Sequence, residues 1–111
     1  MRPPLERLDI QPMASGDHSL LLTERIDWDA FPAYVEAILP LVGGVLVDRV
    51  DGPDQRVWTV SIRSQLFWMA FDEFPGRVSL DPQNSEASSL IPAIRHMLLR
   101  DRSHSSNPET S

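Results

Sequence analysis

The chain contains no cysteine and no lysine. Without cysteine, disulfides, thiolate catalysis and cysteine metal sites are excluded. Without lysine, a Schiff-base amine and a Walker-type phosphate loop are excluded, because both need the ammonium group. All ten basic residues are arginine, placed singly from Arg2 to Arg102. They form no patch along the sequence. Against sixteen acidic residues they leave a formal net charge of −6, which disfavours nucleic acid, whose phosphates reward clustered basic groups. No apolar run approaches the roughly 18 residues that span a bilayer. The start, MRPPLERLDIQPMASGDHS, lacks the apolar h-region of a secretory signal. The expectation is a cytoplasmic protein with neither a membrane nor a nucleic-acid partner.

What is present suits one small domain. A chain of 111 residues with 41% hydrophobic content can close a single core. Residues 1–18 hold Pro3, Pro4 and Pro12 and little periodicity, and residues 101–111 (DRSHSSNPETS) are polar and low in complexity. Both ends read as mobile tails around a domain at 19–100.

Within that domain, SLLLTERI at 19–26 reads as a strand. A helix follows over 28–41, with Asp27 as N-cap, Asp29 in the first turn and Pro32 where no amide is lost. Phe31, Tyr34, Val35, Ile38, Leu39 and Val42 make its apolar face, and Gly43-Gly44 ends it. Alternation then predicts strands near 45–50, 55–63, 66–71 and 77–81, with DGPD at 51–54 as a turn. Trp58, Val60 and Ile62 fall on one face, and Thr59, Ser61 and Arg63 on the other. LFWMAF at 66–71 is apolar on both faces and reads as central, with Trp68 opposite Phe67 and Met69. A last helix covers 85–100, capped by Asn84 or Ser85, with Pro92 requiring a late start or a kink. The fold class is α+β: a two-layer sandwich of a four- or five-stranded antiparallel sheet with two helices packed on one face.

One short pattern occurs twice, WDAFP at 28–32 and FDEFP at 71–75. The first opens a helix and the second leaves a strand, so the order of elements does not repeat. The pattern is a local device in which Asp accepts backbone hydrogen bonds, Pro fixes direction and Phe tucks under the turn. If both copies lie at one end of the sandwich, Trp28, Asp29, Phe31, Asp72, Glu73 and Phe74 form an acidic surface with aromatic anchors. That is the candidate partner-binding set.

Other chemistry finds little support. Asp27, Asp29, Asp72 and Glu73 are the only carboxylate group resembling the paired acids of a hydrolase, and cap and turn roles explain them. D-R-V-D-G-P-D at 48–54 departs from the calcium-loop spacing. His18, His96 and His104 share no metal-ligand spacing, and no G-x-S-x-G elbow occurs. No catalytic residue, metal or cofactor is expected.

The features WDAFPAYVEAIL, the GG that follows, a W-T-V strand and FDEFPGRVSL resemble small bacterial proteins known only as domains of unknown function. In size and acidity the chain is also similar to immunity proteins of bacterial toxin systems. That resemblance implies a non-enzymatic protein that binds a protein partner, as an immunity-like or adaptor domain. A basic partner would complement the acidic surface, and the chain could be a monomer or a homodimer. The alternative is a secretion-type chaperone, which would dimerise and offer apolar strands to a client. A carboxylate-based hydrolase ranks behind both.

Overall fold

The structure is a computed structural model that describes residues 2–105. In chain order the elements are β1 (Asp9–Pro12), β2 (His18–Thr23), α1 (Phe31–Val42), β3 (Gly44–Asp51), β4 (Gln55–Ile62), β5 (Gln65–Asp72), β6 (Arg77–Pro82), α2 (Ser85–Ser88) and α3 (Ile91–Ser105). The strands form one sheet in the order β1-β2-β6-β5-β4-β3, and every pairing is antiparallel.

Turn chemistry sets the register. Arg63 and Ser64 both take left-handed backbone, with φ of 53° and 67°. Two such residues make a two-residue hairpin whose twist matches the strands it joins. Ile62 therefore pairs with Gln65, and the alternation of β4 is carried unbroken into β5. Trp58, Val60 and Ile62 of β4 point the same way as Phe67, Met69 and Phe71 of β5. Leu20 and Leu22 of β2 and Val78 and Leu80 of β6 complete that face. The apolar stripes of α1 and α3 cover it, and all these side chains belong to one core cluster. Burial of each large apolar side chain contributes about 1.5–3 kcal/mol.

Helix boundaries follow from capping. Gly43 adopts φ 66° and donates its N–H to the Leu39 carbonyl, which closes α1. The start differs from the expected residue 28. Asp27 accepts the Ala30 N–H at 2.8 Å and caps a turn, so the helix proper begins at Phe31, with Pro32 in its first turn. Pro92 is resolved in the same way. Asn84 caps the one-turn α2 by accepting the Ala87 N–H at 2.8 Å, and α3 starts anew at Ile91, one residue before the proline.

Two expectations are corrected. The sheet has six strands, not four or five. The sixth is β1, which lies in the segment expected to be a tail. Leu5 and Leu8 are buried in the core, and three contacts pin the segment. Tyr34 Oη donates to the Pro4 carbonyl at 2.8 Å, Arg95 Nε to the Leu8 carbonyl at 2.6 Å and Arg102 Nη1 to the Leu5 carbonyl at 2.9 Å. Burial also pushes the Tyr34 hydroxyl well above the usual tyrosine range, with the nearby Glu6 charge adding to it. At the other end, α3 continues to Ser105. The rest of the expected C-terminal tail lies outside the described residues.

Candidate functional site

The two Asp-x-Phe-Pro motifs meet at one end of the molecule. Ile26 donates its N–H to the Gly76 carbonyl at 3.2 Å. Gly76 has φ 97°, and a Cβ there would stand 2.4 Å from the Ile26 carbonyl oxygen. Only glycine allows the two backbones this approach. The rings follow: Phe31 lies 5.3 Å from Phe71 and 4.9 Å from Trp58, and Trp28 meets Phe71 edge-on at 6.2 Å.

Arg56 ties this corner together. Its guanidinium carbon lies 4.4 Å from the centre of the Trp28 ring, and Nη1 donates to the Trp28 carbonyl at 2.9 Å. Nε and Nη2 donate to the two Asp51 carboxylate oxygens at 3.0 and 3.3 Å, and Trp58 Nε1 donates to Asp51 Oδ1 at 2.9 Å. Hydrogen bonds from Arg56, then from Trp58, hold the Asp51 carboxyl below the usual range. The acids of the second motif serve its turn. Asp72 accepts the Phe74 N–H on its carboxylate at 3.3 Å and the Gly76 N–H on its carbonyl at 2.9 Å. The Glu73 N–H donates to the Asp54 carbonyl at 3.0 Å.

The expected binding set therefore divides. Phe31 has 0% of its surface exposed and is a core residue, which corrects its place among the surface anchors. Trp28 is half-buried and engaged by Arg56. Asp72 and Glu73 are half-buried in the turn, Asp29 is exposed, and Phe74, 75% exposed, projects at the tip.

A larger surface lies on the sheet face away from the helices. Cross-strand pairs arrange it in rows. One runs Val45, Ser61, Leu66. The next runs Asp48, Thr59, Trp68, Asp81, and a third runs Val50, Val57, Ala70, Ser79, Leu21. Val45, Val50, Leu66 and Trp68 are exposed, Trp68 by 40% although it sits on a central strand. Beside these rows, β2, β4, β5, β6 and the β1–β2 hairpin enclose a groove of about 420 Å³. Asp72, Arg77, Ser79 and Asp81 line it together with Ser19 and Gln55. The Arg77 Nη2 donates to Gln11. Desolvation raises the Asp81 carboxyl above the usual range, although a hydrogen bond from Ser79 and the charge of Arg77 oppose it. Among the described residues, no basic group stands within ion-pair distance of Asp81.

The edge strand β3 extends this surface. Val47 is exposed beside Val45 and Val50, while Leu46, paired with the core residue Val60, is exposed at the rim of the helix-covered side. A register shift between Leu46 and Asp48 breaks the ladder there. Such an irregularity and the charges on Asp48 and Arg49 discourage direct strand addition, so the face, more than the edge, is available for contact. Sequence reasoning placed Trp68 on the right side but did not assemble the rows. The signal was the doubly apolar LFWMAF, which marks a strand whose second face is also apolar. Among the described residues no three metal-ligating side chains converge, and no helix is long and apolar enough to cross a membrane.

Fold and surface together define an α+β domain whose antiparallel sheet, among the described residues, is covered by helices on one face only. The chain belongs to the family described as protein of unknown function DUF3630, whose pattern matches residues 8–93. The match takes in β1, so the first strand is part of the family's domain. No curated protein and no solved structure matches the chain.

Proposed function

We propose that this chain is a non-enzymatic binding protein, immunity-like or adaptor in kind, that docks a protein partner on the open face of its sheet. The observation that carries this reading is the exposed apolar group Val45, Val50, Leu66 and Trp68, brought to one face by strand register. Contiguous apolar surface rimmed by polar groups marks interaction sites, and tryptophan is enriched among interface hot spots. The motif corner is a weaker candidate, because its aromatic rings are largely spent on one another and on Arg56.

Exposed apolar strands also suit the secretion-type chaperone. That reading additionally requires a stable dimer, so sedimentation equilibrium separates the two. A monomer removes the chaperone.

Site-specific photo-crosslinking in the source cells tests the proposal. A crosslinker at position 68 should capture one defined protein that the same group at His96, exposed on α3, does not. Equal capture from both positions, or capture from 96 alone, would remove the open face as the docking surface.

A further inference from the structure

The open face is acidic as well as apolar. Asp48, Asp72 and Asp81 stand on it, and Arg77, its basic residue on β6, is already hydrogen-bonded to Gln11. The row Asp48, Thr59, Trp68, Asp81 puts a half-exposed indole directly beside one carboxylate and two strands from another. Three strand spacings separate the two acids, or roughly 14 Å. Asp81 also lines the groove, with no ion-pair partner among the described residues. Arg77 acts on Asp81 through its charge but makes no ion pair with it, so a cation that comes closer still stabilises this partly desolvated carboxylate, and the face of an indole attracts the same cation.

We propose that the Trp68–Asp81 pair receives an arginine or lysine side chain of a basic protein partner, the cation lying between the ring and the carboxylate at the mouth of the groove. This rests on the reading of the open face as the docking surface and names the chemistry of what docks there. The partner offers a cation for Asp81, apolar contact for Leu66 and Val45, and positive charge towards Asp48. The net charge of −6 draws such a partner in at long range.

The test uses the full chain labelled for amide and indole NMR, with N-acetyl-arginine amide as probe and its neutral isostere N-acetyl-citrulline amide as control. The arginine probe is expected to shift the Trp68 indole N–H and the Asp81 amide saturably. Citrulline should bind at least about tenfold more weakly, and Asp81→Asn should remove the difference between the probes. The Asp48→Asn variant, which keeps the Trp68–Asp81 pair, should retain the preference for arginine. Equal binding of both probes at Trp68 would overturn the cation's role while leaving the open face as a docking surface. Shifts confined to Asp29, Glu73 and Phe74 would overturn both. Absence of any shift at Trp68 and Asp81 with the arginine probe would overturn the proposal.

Discussion

Arg56 and Trp28 are joined twice, by a guanidinium 4.4 Å from the ring centre and by a hydrogen bond to the Trp28 carbonyl at 2.9 Å. The second bond fixes the backbone that leads into α1, and the first clamps the ring over the end of the core. Arg56→Ala strips both and also frees Asp51, which Trp58 Nε1 needs as its acceptor. The expected cost is about 2–4 kcal/mol in urea unfolding. Arg56→Lys should recover less than half of it, since an ammonium cannot reproduce the planar fork. A cost below about 0.5 kcal/mol, the scatter of ordinary surface changes, would show that the clamp is idle.

Leu8 is fully buried in the core although it precedes the first strand. Leu8→Ala should destabilise by about 2–5 kcal/mol, as other buried leucines do. Removing residues 2–12 should cost more, because β1 and the contacts to Tyr34, Arg95 and Arg102 leave with it. Thermal melting of both variants measures this. A truncated chain melting with the wild type would return the segment to a tail.

Asp81 gives stability a pH dependence of known sign. Its carboxyl is raised in the folded state, so between the unfolded and folded values the native protein holds more protons. Stability falls as pH rises through that window. Glu6 and Asp51 act oppositely. At Glu6, burial raises the carboxyl, but hydrogen bonds from the Glu24 N–H and the Thr23 hydroxyl outweigh it and leave the group lowered. The contributions of these two groups are lost as pH falls through their lowered values. Asp81→Asn isolates one of the three. It should be more stable than wild type at neutral pH, with the difference vanishing in acid below the unfolded carboxyl value. A difference independent of pH would contradict the assignment.

Much of the fold was legible in sequence, for identifiable reasons. Trp58, Val60 and Ile62 alternate cleanly with polar residues, and a half-buried strand requires that. Gly43 marked the end of α1 because the αL position there favours glycine. The N-terminal strand was not legible. Leu5 and Leu8 are scattered among prolines and charges, and their burial depends on α1 and α3, which are distant in the chain. The candidate site was illegible for a related reason. Asp48, Thr59, Trp68 and Asp81 are brought into one row only by the register of three separate pairings. The repeated motif was visible and real, and its two copies do meet. Their contact buries Phe31 and occupies Trp28, which makes the corner chiefly an anchor for the sheet.

Net charge supplies a kinetic expectation. Association with a basic partner should slow as salt rises, because exposed charges are screened beyond about 10 Å at 0.1 M. Asp48→Asn should flatten that dependence while leaving the unfolding curve in place. Stopped-flow mixing at two ionic strengths measures it, and an association rate indifferent to salt would exclude steering by this face.

The affinity of Trp68→Ala for the protein captured at position 68 tests the central claim most directly, read beside its unfolding curve. The ring is 40% exposed on the open face and outside the core cluster, so the variant should stay folded, with a loss confined to the ring's partial burial, about 1–2 kcal/mol. Binding should weaken by about 2 kcal/mol or more, roughly thirtyfold, as for a tryptophan at the centre of an interface. Unchanged affinity in a folded variant would contradict the account.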